Sequence, residues 1–113
     1  MAKRHVTTKG ASRDAVIALG QIIRILRKKQ GITIEELARR SHVSKQTMIN
    51  IEKGSPGVAI GNVFNAAVEV DAPLFSPDEA EIARLRRRGE ETLSLMPARV
   101  EVSGDRDHEL AAL

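Results

Sequence analysis

The chain has 113 residues, 29% of them charged and 2% aromatic, with no cysteine, tyrosine or tryptophan. That length suits one small domain with tails; the missing thiols exclude a disulfide framework and thiolate metal sites, and no apolar run approaches the roughly 20 residues of a membrane-spanning helix. The net charge of +3 is divided unevenly: residues 1–54 hold 12 Lys/Arg against 4 Asp/Glu, and residues 55–113 hold 6 against 11, so the front half suits a polyanionic partner.

In chain order, Met1 to Ala11 is small, basic and aperiodic, and is expected to be a flexible arm. Its charge has no apolar stretch behind it, unlike a secretory signal. Ser12 can cap a first helix starting near Arg13. Leu19, Ile23 and Leu26 recur there at helical spacing, and Ile22 and Ile25 widen the apolar face. Those two isoleucines suit packing against the fifth helix, or a dimer or partner surface. Gly31 ends the helix. Thr33-Ile34-Glu35-Glu36 reads as a capping box, in which the Thr33 hydroxyl accepts from the Glu36 amide and the Glu36 carboxylate reaches back. A short second helix runs to about Arg40 with Leu37 and Ala38 inward. Ser41-His42-Val43 is a turn. Ser44 caps a third helix, which buries Met48 and Ile51 and stops at Gly54.

Ser55-Pro56-Gly57 is a loop. A fourth helix is expected from about Ile60 to Val70, burying Val63, Phe64, Ala67 and Val68, with Asp71-Ala72-Pro73 breaking it. Ser76-Pro77-Asp78-Glu79 is a strong start signal: a capping serine, proline at the first helical position and acids in the first turn. The fifth helix should reach at least Arg88, with Gly89 either ending or weakening it. Arg99-Val100-Glu101-Val102 alternates like a short strand, and Ser103 to Leu113 reads as a loose tail.

The second and third helices are short and separated by a three-residue turn, the spacing of a helix-turn-helix. At this length the first can cross the phosphates while the second enters the major groove. On the third helix Lys45, Gln46, Ile49 and Asn50 share the face opposite Met48 and Ile51. Gln46 and Asn50 carry paired donors and acceptors that match the adenine edge, Lys45 can donate to guanine or phosphate, and Ile49 can pack on a thymine methyl. Helix-start amides can hold phosphate oxygens. Only Phe64 and Phe75 are aromatic, so base-stacking platforms for single strands are not expected.

The segments LGQIIRILRKKQGITIEELARRS and HVSKQTMINIEKG, with the loop and fourth helix that follow, resemble the lambda-repressor-like (XRE-type) helix-turn-helix family over Leu19 to Phe75. The resemblance implies that Ser44, Lys45, Gln46, Ile49 and Asn50 meet DNA, with Ser44 and Thr33 on the phosphate backbone. It also implies an ion pair between Arg27 and Glu52 that clamps the recognition helix. Three positions depart from the family pattern. Ile34 stands where many members carry a phosphate-touching glutamine, Ser41 replaces a small apolar residue, and His42 replaces the turn glycine. Histidine is among the residues that tolerate the left-handed conformation. The fourth helix, the PLF segment and Leu95-Met96-Pro97-Ala98-Arg99-Val100 resemble HipB-type regulators, which are antitoxins. That implies autoregulation and a HipA-type serine/threonine kinase toxin as partner.

Several sharper readings compete with blander ones. Glu35-Glu36 and Glu90-Glu91 are adjacent and do not face one another on a helix, so caps and solvated faces explain them better than acid–base chemistry. Asp105, Asp107, His108 and Glu109 are better explained as a solvated tail than as metal ligands, and His5, His42 and His108 are scattered. Arg84, Arg86, Arg87 and Arg88 suit either a second nucleic-acid patch or ion pairing with Asp78, Glu79 and Glu81. Lys3, Arg4 and Lys9 suit phosphate contacts from the arm.

The expected fold is therefore all-α, a five-helix lambda-repressor-like DNA-binding domain with a flexible N-terminal arm and a C-terminal tail. Its divisions are residues 1–11 as basic arm, 12–75 as helix-turn-helix domain, 76–97 as helical extension and 98–113 as tail with a partner-binding role. The expected function is sequence-specific repression of transcription by a homodimer on double-stranded operator DNA with an inverted repeat, in the bacterial cytoplasm and at the nucleoid. No catalysis, cofactor, metal or membrane partner is expected. The alternatives are a solitary regulator without a toxin, and a protein-interaction module that does not read DNA.

Overall fold

The computed structural model describes residues 6–100. Lys3, Arg4, His5, the Glu101–Val102 end of the expected strand, and Asp105, Asp107, His108 and Glu109 lie outside them. Five α-helices follow in order: α1 Gly10–Lys29, α2 Ile34–Arg40, α3 Lys45–Lys53, α4 Ile60–Glu69 and α5 Glu79–Ser94. Among the described residues there is no β-strand, Arg99 and Val100 included, and the sole β pairing is an isolated bridge between Leu74 and Ser76. The fold is all-α. The chain divides into two compact units, Met1–Ile82 and Ala83–Leu113.

The core of the first unit takes Ile23 from α1, Leu37 and Ala38 from α2, Met48 and Ile51 from α3, and Ala66, Ala67 and Val70 from the α4 region, with Ala72 beyond it. Leu19, Leu26, Val43 and Val63 pack against it from partly buried positions. Burying one large apolar side chain contributes about 1.5–3 kcal/mol, so Ile23, Leu37 and Met48, each fully buried, anchor three helices to one another. α1 crosses α3 very closely at Gly20. A Cβ there would stand 2.5 Å from the Ile51 carbonyl oxygen and 2.8 Å from that of Glu52.

The first four helices end in one way. After α1, the Gly31 amide donates to Lys28 O and the Ile32 amide to Arg27 O. After α2, His42 donates to Arg39 O and Val43 to Ala38 O. After α3, Gly54 donates to Ile51 O and Ser55 to Asn50 O; after α4, Asp71 donates to Val68 O and Ala72 to Ala67 O. This is the Schellman arrangement, with the residue after the cap left-handed. Gly31, His42, Gly54 and Asp71 have φ of 70°, 57°, 77° and 60°. Glycine is required twice over at Gly54, because a Cβ there would also meet the Ile17 Cα at 2.5 Å. His42 and Asp71 hold the same conformation with a side chain.

Several boundaries differ from the sequence expectation. α1 begins at Gly10, with Lys9 rather than Ser12 before it and no side-chain cap. Residues 10–15 are all exposed; no apolar periodicity marks them, and the helix extends through them on the strength of Ala11 and Ala15. In α4 the inward residues are Ala66 and Ala67. Phe64 is half-buried and Val68 is 54% exposed. Small residues face the core where helices approach closely, and the larger side chains sit at its margin. Ile22 and Ile25 are 43% and 52% exposed. α5 starts at Glu79, two residues beyond Pro77. The Ser76 hydroxyl accepts from the Asp78 amide, and it is Asp78 whose carboxylate accepts from the Ala80 amide at 2.9 Å. Gly89 does not interrupt this helix, none of whose residues is buried.

Candidate nucleic-acid interface

α2 and α3 are each opened by a hydroxyl. The Glu36 amide donates to Thr33 Oγ1 and the Thr47 amide to Ser44 Oγ, both at 3.1 Å. Such caps satisfy donors that a helix start leaves free and stabilise it by about 1 kcal/mol. The Ser44 hydroxyl in turn donates to Thr47 Oγ1 at 3.0 Å. The capping box at Thr33 is half formed. Instead of reaching back, the Glu36 carboxylate accepts from Arg39 and Arg40, three and four residues on. Those two guanidinium groups hold the Glu36 carboxyl down to about 2.

Between the helices, the turn Ser41-His42-Val43 is closed by the left-handed His42. Ser41 is 1% exposed and its Oγ has no hydrogen-bond partner. Ile34 lies partly buried against the core. It is an inward-facing apolar residue at the position where the family pattern has a phosphate-touching glutamine.

α3 is seated by Met48 and Ile51, 0% and 2% exposed, and by an ion pair at its end. Arg27 Nε donates to Glu52 Oε2 at 2.7 Å and Nη2 to Oε1 at 3.0 Å, while Nη1 donates to the Ile32 carbonyl at 3.0 Å. The two side chains are 11% and 5% exposed. Arg27 thus joins α1, the turn before α2, and the end of α3. The hydrogen bond to Glu52 raises the Arg27 pKa further above its ordinary value, against the opposing effect of burial.

On the opposite face Lys45 and Gln46 are exposed, while Ile49 and Asn50 are half-buried at the edge. Two contacts organise this face. Lys45 Nζ meets Glu35 Oε1 of α2 at 2.9 Å, and that hydrogen bond lowers the Glu35 carboxyl pKa. Gln46 Nε2 donates to Asn50 Oδ1 at 3.2 Å. Thr33, Ser44, Lys45, Gln46, Ile49 and Asn50 thus fall on the helix pair and its two starts. Glu35 and Glu36 also belong to it. Spacing alone could have shown the partners of Glu36 and the Gln46–Asn50 bond, since residues four apart are neighbours on a helix. The Lys45–Glu35 pair spans two helices and left no local trace.

Other chemistry is sparse. An apolar hollow of about 260 Å³ between α1, the end of α3 and α4 is lined by residues such as Leu19, Ile51, Val63 and Phe64, with no titratable group. Among the described residues no cluster of metal-ligating side chains is present, and no helix is long and apolar enough to cross a membrane.

Residues 23–67 match a family model described as helix-turn-helix. Over 56 residues the chain is 38% identical to the competence pilus inhibition repressor of Acinetobacter baylyi (strain ATCC 33305 / BD413 / ADP1), an overlap of 44% of this chain and 51% of that protein. The chain therefore spans about half the length of the curated relative it matches. No solved structure matches it at comparable significance. α2 and α3, joined by a three-residue turn, capped at both starts and clamped through Arg27 and Glu52, lie within the residues that match the helix-turn-helix model.

Proposed function

We propose that this protein is a sequence-specific DNA-binding transcriptional repressor. The observation that carries the proposal is the outer face of α3. Gln46 and Asn50, two amide side chains, stand beside Lys45 on a helix whose other side is fixed by Met48, Ile51 and the Arg27–Glu52 pair. A nine-residue helix fits the major groove, and amide and ammonium groups are those that read base edges. In this reading Thr33 and Ser44, at the starts of the two helices, contact phosphate alongside the first backbone amides. The similarity to a protein named as a repressor supports the same reading. Occupying a promoter requires no catalysis and no cofactor.

The protein binds as a homodimer in this proposal, so its operator is an inverted repeat with half-sites about one helical turn, roughly 10 base pairs, or a multiple of that apart. The test is fluorescence anisotropy with the gene's own upstream duplex and with random duplex at one salt concentration. Tight upstream binding that weakens steeply with salt, and that Gln46→Ala with Asn50→Ala reduces to the random level, is the expected result. Equal weakening on both duplexes would refute base readout by these residues.

A finer proposal is that the protein is the antitoxin and autoregulator of a HipBA-type module in the bacterial cytoplasm, with a HipA-type kinase as partner. It rests on the Leu95–Val100 segment, exposed throughout and similar to HipB-type regulators. Co-purification with the product of the adjacent gene tests it. A neighbour that is not kinase-like, or does not bind, leaves a solitary regulator. Retention of that partner with no DNA binding would indicate an interaction module instead.

A further inference from the structure

Gln46 and Asn50 are both primary amides on the outer face of α3, and by sequence they are equivalent candidates for reading adenine. The structure makes them unequal. Gln46 Nε2 donates to Asn50 Oδ1 at 3.2 Å, and Gln46 is exposed while Asn50 is half-buried. A primary amide has two N–H donors and one carbonyl acceptor. The bond takes one donor from Gln46 and leaves its second N–H and its carbonyl. Those are the two groups that meet the adenine edge, where the N6 amino group donates and N7 accepts.

Asn50 accepts that bond on one of the two lone pairs of its carbonyl oxygen. Side chains four residues apart on a helix lie one above the other, so its carbonyl is directed along the helix toward Gln46. With its carbonyl held in that direction, its amino group is the part freest to face a groove. Donors alone cannot pair with adenine in two places, because one of the two adenine groups is itself a donor. Lys45, the neighbouring polar residue, is a donor too and is engaged by Glu35.

We infer that Gln46 alone reads an adenine in each half-site and that Asn50 is its positioning residue, holding the Gln46 amide in the orientation that adenine requires. The inference deepens the DNA-reading proposal and rests on it. It assigns different roles to two residues that would otherwise each specify a base pair.

The experiment is selection of a random duplex library on the full chain at fixed salt, followed by sequencing. It uses the wild type, Gln46→Ala, Asn50→Ala and Asn50→Asp, each with its melting curve. The wild type should enrich a motif containing an adenine whose preference falls roughly tenfold or more in Gln46→Ala, the discrimination expected of one bidentate pair. Asn50→Ala should weaken the preference at that same base pair and at no other. Asn50→Asp keeps an acceptor for the Gln46 amide, so it should retain the adenine while binding all DNA less tightly through its added negative charge. A merely structural role for Asn50 would lower the melting temperature without altering one position of the motif. The inference is overturned if Asn50→Ala changes a base pair that Gln46→Ala leaves intact, or if Asn50→Asp loses the adenine as fully as Asn50→Ala. A wild type that enriches no motif overturns the DNA-reading proposal itself.

Discussion

Removing Arg27 tests how α3 is held. Arg27→Ala deletes two hydrogen bonds to the Glu52 carboxylate and one to the Ile32 carbonyl. It leaves a carboxylate whose side chain is only 5% exposed without its cation. Breaking one side of a buried pair costs about 3–5 kcal/mol, most of it from the stranded charge. In a domain of this size 1 kcal/mol corresponds to about 4–8 °C, so the melting temperature should fall by roughly 12 °C or more. Glu52→Ala should cost a similar amount by stranding the guanidinium. The double variant Arg27→Met with Glu52→Met strands nothing and replaces the pair with apolar groups, an exchange that is often nearly neutral. Calorimetry on the wild type, both single variants and the double variant closes the comparison. The expected result is a double variant far more stable than the sum of the single losses implies. Single variants melting within a few degrees of the wild type, or a double variant that loses the full sum, would refute the clamp.

Ser41→Ala should raise stability by about 1 kcal/mol in urea titration, because it removes a buried hydroxyl that has no partner and whose desolvation is uncompensated. His42→Gly should add about 1 kcal/mol by the same measurement, since histidine holds a φ of 57° that glycine adopts without a Cβ penalty. Gly20→Ala should destabilise by about 1–3 kcal/mol, because its Cβ would stand 2.5 Å from the Ile51 carbonyl oxygen and force α1 away from α3. The Glu36 carboxyl lies at about 2 in the fold, below its ordinary 4.5; its stabilising effect is present above pH 4.5 and is lost as pH falls toward 2. Glu36→Gln should therefore flatten an acid titration of melting temperature in that window. Glu35→Gln should release Lys45 and tighten binding to every duplex roughly two- to fivefold, the scale of an exposed ion pair; anisotropy at fixed salt reads this directly.

The helix count, the turn between α2 and α3, and the inward residues Ile23, Leu37, Ala38, Met48 and Ile51 were legible because each rests on local periodicity or a local stop signal. The hydroxyl caps at Thr33 and Ser44 were legible for the same reason, since a cap bonds within three residues. The start of α5 was misassigned because serine and aspartate two residues apart are both capping residues, and only the backbone path selects Asp78. On α4, Ala67 is buried and Val63 packs against the core as expected, whereas Phe64 is half-buried and Val68 exposed. Those two were misplaced because hydrophobicity ranks phenylalanine and valine above alanine. How closely a neighbouring helix approaches determines which of them fits.

By itself, the sequence determined the helices and the chemistry of the face that α3 presents, since both depend on residues within one or two turns of each other. Tertiary structure decided the rest. It brought Arg27 to Glu52 across 25 residues and left no room for a side chain at Gly20. It turned Ile34 inward and placed Glu35 against Lys45. These are contacts between helices, set by how closely and at what angle the helices cross, and that geometry emerges only when the whole core packs at once.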